Sequence, residues 1–164
     1  MTTKAPRYDG PAFCVIGAGN GGLAMAGHLA LMGFPVRLYN RSEERLLAIR
    51  QRGGVELIVR QGVHMPGGEA ELSCVTTDIA EALDGADVVM VVVPATGHRS
   101  VAEVCAPHAR EGQTYILHPG RTGGALEFRN VLVQHGASDR IVVAEAQTLI
   151  YACRVSNLAQ VQVF

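Results

Sequence analysis

An α/β domain, with a mostly parallel sheet and helices on both of its faces, is predicted by three observations. Short apolar runs alternate with helical patterns from about residue 12 to residue 150, the order that builds parallel strands joined by crossover helices. The most apolar stretch, 86–93, is continuous rather than alternating, as expected of a strand covered on both faces. A glycine-rich turn separates the first strand from the first helix, in a chain with 19 glycines and no tryptophan. One domain over 1–164 is expected, since 164 residues with an apolar fraction of 48% supply a single core of ordinary size.

Each element follows in order. Ala12 to Ile16 is the first strand, and Leu23, Ala26, Gly27, Ala30 and Leu31 share one face of the helix after it. Gly33 ends that helix in the left-handed conformation open to glycine. Pro35 to Tyr39 is the second strand, and Ser42 caps a charged helix running through Glu43, Glu44 and Arg45 to about Arg50. The spacing next predicts strands over Val55 to Val59 and Glu71 to Val75, parted by the turn residues Pro66-Gly67-Gly68, with Asp78 capping a short helix to Leu83. Strand 86–93 stops at Pro94, which has no N–H for a ladder, and a helix is expected from about His98 to Ala109. Gln113 to Leu117 is a strand, Gly124 to Gln134 a helix and Ile141 to Ala144 a strand. Residues 151–164 read as extended segments leading toward a second domain. The apolar end Val161-Gln162-Val163-Phe164 is the kind of place where a longer protein has been cut.

Charge and special residues exclude several function classes. Lys and Arg number 14 against 15 Asp and Glu, a net charge of -1, which offers nucleic acid or an anionic membrane no bulk attraction. Lys4 and Arg7 precede an apolar stretch, 13–33, that imitates a signal peptide or anchor, but its glycines, Asn20 and His28 break it into strand, turn and amphipathic helix. Cys14, Cys74, Cys105 and Cys153 form no close pair, which fits a reducing cytoplasm. His28, His64, His98, His108 and His135 show no ligand spacing, so no metal site is expected. Nor does any Ser or Cys stand in a nucleophile motif.

The chemistry concentrates in Gly17, Ala18, Gly19, Asn20, Gly21 and Gly22, a GxGxxG pattern between strand and helix. Gly17 permits the tight turn, Gly19 lets backbone N–H groups approach a pyrophosphate, and Gly22 lets helix and strand pack closely. The phosphates would sit on the positive end of the helix. Together these features define a Rossmann-type, doubly wound dinucleotide-binding domain. About 20 residues on, where a carboxylate normally meets the adenosine ribose, stands Asn40, followed by Arg41 and Ser42. With no carboxylate to repel a phosphate, NADP is favoured over NAD. The alternative is that Arg41 is merely solvated and Asn40 meets an unphosphorylated ribose. Val93, Pro94 and Ala95 leave the central strand where the crevice opens and are expected to line the cofactor's path. The loop His118-Pro119-Gly120-Arg121-Thr122-Gly123-Gly124 leaves the next strand on the same edge.

GAGNGG at 17–22, HPGRTGGALEF at 118–128 and AEAQTLIYACR at 144–154 together resemble the N-terminal domain of the opine dehydrogenases, of octopine and nopaline type. The resemblance implies a two-domain oxidoreductase that condenses an amino acid with a 2-oxo acid such as pyruvate, at the expense of NADH or NADPH. It implies a helical C-terminal domain carrying the catalytic His and Asp, so no catalytic residue is assigned in this chain, which alone is expected to be inactive. Arg121 and Thr122 resemble that family's loop after the fifth strand, and Glu145, Gln147 and Thr148 its segment facing the interdomain cleft. Two other readings stay open. The domain could be a stand-alone nucleotide-binding module, or the cofactor domain of a glycerol-phosphate or ketopantoate type reductase, which GAGNGG alone would serve equally.

Overall fold

The apolar runs pair side by side in a computed structural model that describes residues 10–164. Lys4 and Arg7 lie outside the described residues. The elements are β1 (Phe13–Ile16), α1 (Asn20–Leu31), β2 (Val36–Tyr39), α2 (Glu43–Arg52), β3 (Gly54–Val59), β4 (Gly68–Glu71), β5 (Cys74–Thr76), α3 (Ile79–Leu83), β6 (Val88–Val91), α4 (His98–Cys105), β7 (Thr114–Leu117), α5 (Gly124–Gln134), β8 (Val142–Glu145), β9 (Cys153–Asn157) and β10 (Gln160–Val163). Six strands form one sheet in the order β5-β2-β1-β6-β7-β8, with every neighbouring pair parallel. Numbered within the sheet this is 3-2-1-4-5-6, the order of dinucleotide-binding folds, whose ligand crevice opens where the order reverses. Here that point lies between β1 and β6.

Strand alternation sends side chains to two cores. On one face Cys14, Ile16, Val89, Val91, Tyr115 and Leu117 pack with Leu83 of α3, Ala102 and Cys105 of α4, and Phe128, Val131 and Leu132 of α5. On the other, Val15, Val36 and Leu38 pack with Leu23 to Ala26 of α1 and with Leu46 and Ile49 of α2. Helices therefore cover both faces, as a continuous apolar strand such as β6 requires.

A second sheet, β4-β3-β10-β9, lies beyond α1. Its Val55, Leu57, Val161 and Val163 join the same core as α1, so this helix is buried between two sheets. Gly27 makes the approach possible: a Cβ there would stand 2.1 Å from Leu57 Cδ1. The helix packed twice over is thus the one that follows the glycine turn.

Three boundaries differ from the sequence expectations for physical reasons. The strand expected over 71–75 is two strands in different sheets. β4 pairs antiparallel with β3, whereas β5 pairs parallel with β2, and the switch falls at Leu72 and Ser73, whose N–H groups donate to the Gly53 and Val36 carbonyls. The helix from His98 stops at Cys105 and continues only as a tight turn over Ala106–His108, because Pro107 has no N–H for the next helical bond. Residues 151–164 fold back as the β9–β10 hairpin, with β10 parallel to β3. Among the described residues, no helix is long and apolar enough to cross a membrane, and all four cysteines are free.

Candidate functional site

The turn between β1 and α1 lies at the carboxyl ends of the strands, over the reversal point. Gly17 continues the ladder by donating to the Tyr39 carbonyl at 2.8 Å and then turns with φ +113°, where a Cβ would lie 2.4 Å from the Val92 carbonyl oxygen. No other residue type fits that conformation and contact together. Gly22 is equally constrained, since its Cβ would meet the Gly17 carbonyl oxygen at 1.7 Å. Gly19 is different. It precedes the helix in extended conformation (φ -90°, ψ -170°), and nothing lies within 4 Å of a Cβ built on it. The N–H groups of Asn20, Gly21 and Gly22 come before the first helical acceptor, and no acidic residue occupies this first turn. The site therefore presents several N–H donors and the positive end of a twelve-residue helix, with open space at Gly19.

Other candidate residues divide between this space and the scaffold that shapes it. Ala18 is buried and donates its N–H to Asn40 Oδ1 at 3.0 Å, while Asn40 Nδ2 donates to the Ser42 carbonyl at 3.1 Å. The Asn40 carboxamide thus ties the glycine turn to the end of β2. Arg41 is exposed beside it, and no hydrogen bond or ion pair engages its side chain among the described residues. Val93 lies against Gly17, its Cγ1 3.0 Å from the Cβ position there, and Pro94 and Ala95 continue as an exposed tight turn on the β6 side. The site residues thus gather along one edge of the sheet, Asn40 to Ser42 on the β2 side and Val93 to Ala95 on the β6 side.

Asn20 and Gly21 have partners that no local sequence signal announces. Asn20 Oδ1 accepts from the Val155 N–H at 2.8 Å, across 135 positions of the chain. A Cβ on Gly21 would stand 2.7 Å from Leu149 Cδ2. Two residues of the glycine motif therefore hold the chain from the β8–β9 connection into β9.

The 118–124 loop lies on the same edge. His118 is buried, with neither ring nitrogen hydrogen-bonded, and burial lowers its pKa below the ordinary histidine value. His98 is likewise buried and shifted down by burial, partly offset by the Val93 carbonyl and the carboxylates of Glu127 and Glu145. Arg121 takes a left-handed conformation (φ 48°) and is exposed. Glu145 caps α5, its Oε2 accepting from the Ala125 N–H at 2.7 Å. No group of three or more His, Cys, Asp or Glu could hold a metal ion among the described residues.

Known proteins resemble this chain. Residues 12–120 match the profile of the NAD-dependent glycerol-3-phosphate dehydrogenase N-terminus. An opine dehydrogenase of Arthrobacter sp. (strain 1C) is 40% identical over 157 residues, which are 94% of this chain and 42% of that protein. A glycerol-3-phosphate dehydrogenase [NAD(P)+] of Moorella thermoacetica is 32% identical over 137 residues, 80% of this chain and 38% of that one. Among solved structures, octopine dehydrogenase in complex with NADH and agmatine superimposes with a TM-score of 0.82 at 25% identity, covering 94% of this chain and 40% of that one. The chain spans about two fifths of the length of these relatives.

Proposed function

The chain belongs to the NAD-dependent glycerol-3-phosphate dehydrogenase N-terminal family and is a homologue of the N-terminal part of opine dehydrogenases, and from that membership we propose that it is the NADP(H)-binding domain of an opine-type dehydrogenase. The observation that carries the reading is the open cradle at Gly19, beside unpaired helix-start N–H groups and against two neighbouring glycines that only close packing explains. Gly19 and the N–H groups of Asn20 to Gly22 would hold the pyrophosphate, with Ala18 and Gly17 shaping the turn. Arg41, with the Ser42 hydroxyl, would take the adenosine 2′-phosphate, and Asn40 keeps that corner free of negative charge while bracing the turn. Val93, Pro94 and Ala95 would border the other half of the cofactor. When bound, NADPH would supply the hydride, and this chain's residues would bind and orient its carrier.

The substrates are an amino acid and a 2-oxo acid such as pyruvate. A C-terminal helical domain supplies the catalytic groups, with residues 1–164 as one domain that is closed at its end by the β9–β10 hairpin. Unpaired cysteines and near-neutral charge support a cytoplasmic protein without nucleic-acid or membrane partners.

Calorimetric titration with NADPH and NADH tests the cofactor assignment. NADPH is expected to bind more tightly, and Arg41→Ala to weaken NADPH by about tenfold to a hundredfold while barely changing NADH, the scale of one charge-assisted hydrogen bond. Tighter binding of NADH by the unmodified chain would overturn the NADP assignment.

A further inference from the structure

The sheet order divides the crevice into two halves at the β1–β6 boundary. A dinucleotide with its pyrophosphate on the α1 N–H groups and its adenosine toward Arg41 must lay its other half on the β6 side. At that side of the turn stands Leu149, half-buried and not part of either core cluster. Its Cδ2 and Cδ1 lie 2.7 and 3.0 Å from the Cβ position of Gly21, and Val92 Cγ1 lies 3.2 Å from the same point. The two side chains form an apolar surface against the second residue of α1.

Leu149 is held there from both directions. Upstream, Ala146 N–H donates to the Leu117 carbonyl at 2.9 Å, and Gly120 N–H to the Ala146 carbonyl at 3.1 Å. Downstream, Tyr151 Oη and His28 Nδ1 are hydrogen-bonded at 2.9 Å with their rings edge to face, and the Val155 N–H reaches Asn20 Oδ1. These contacts fix the position of Leu149 relative to α1 and the glycine turn.

Resting on the dinucleotide reading, we propose that Leu149, with Val92, is the platform on which the nicotinamide ring of the cofactor lies, so that one face of the ring is closed by apolar carbon and the other is left for the substrate. A planar, weakly polar ring gains most from an apolar surface on one face, and the strap fixes that surface relative to the phosphate-binding turn. Leu149 is then a binding residue for the reactive half of the cofactor, and Gly21 is glycine to admit it.

The test compares NADPH with 2′-phospho-ADP-ribose, the same molecule without nicotinamide, on the unmodified protein and on Leu149→Ala and Leu149→Met, each checked for folding by circular dichroism. Leu149→Ala is expected to weaken NADPH by about tenfold, to leave 2′-phospho-ADP-ribose unchanged, and to abolish the enhanced, blue-shifted emission of bound reduced nicotinamide. Leu149→Met, equally apolar, retains the emission. Equal weakening of both ligands, or of neither, overturns the platform while leaving the dinucleotide site standing. Failure of the unmodified protein to bind either ligand overturns both.

Discussion

Four glycines within six residues of the turn between β1 and α1 do different work, and their surroundings separate folding from binding. A methyl on Gly22 has only the Gly17 backbone to enter, and backbone cannot rotate aside as a side chain can. Gly22→Ala is therefore expected to destabilise the fold by about 1 to 3 kcal/mol, the usual range for overpacking, visible as a lower urea midpoint. Gly19→Val places its branches in open space in a conformation that any residue can adopt, so the midpoint should hold while NADPH binding disappears. If Gly19→Val binds NADPH with undiminished affinity, the cradle is not a phosphate site. The same residues set what is legible in the sequence. The glycine spacing announces the turn, but Asn40 reads there as a cofactor contact that leaves room for a 2′-phosphate, and only the fold shows its carboxamide bridging Ala18 and Ser42.

At the scale of elements, helix α5 begins without a side-chain cap of its own, since Gly123 precedes it in left-handed conformation. Glu145 at the end of β8 supplies the missing acceptor across 20 positions, and its charge also suits the positive helix end. Removing it in Glu145→Ala should cost about 1 kcal/mol, as a lost helix cap does, whereas Glu145→Gln keeps an acceptor and should recover most of that. Equal urea midpoints for Glu145→Ala and the unmodified chain would show that the contact stabilises nothing. Local signals suffice for α5, whose bounds Gly124–Gln134 are readable from glycines and periodicity, and for most of the parallel strands. They cannot reveal the break at Leu72, because a run of strand-forming residues carries no sign of which sheet each part joins. Nor can they place Leu149, since its neighbour Gly21 is fixed by tertiary packing alone.

For the whole molecule, the open space at Gly19 has no group beside it assigned to proton transfer. Reductive condensation needs amine and oxo acid held against the nicotinamide and a group to manage protons. The 164-residue chain should therefore bind NADPH but show no consumption of it with pyruvate and arginine or another amino acid. A longer polypeptide that includes a following helical domain should be active in the same assay. Turnover by the chain alone would shift attention to His118, Arg121 and Glu145 as a self-contained site.

The pairing of β10 with β3 has a consequence in time. It joins residues 104 positions apart, as the Gln160–Glu56 hydrogen bond shows, while most of the chain between them builds the other sheet. During synthesis at about 5 to 20 residues per second, β3 would wait on the order of 5 to 20 s for its partner strand. Throughout that interval its edge is unpaired, and the outer side of α1 lacks part of its cover. Such exposed edges recruit other chains, so the nascent protein is open to aggregation after its nucleotide turn is made and before β10 arrives.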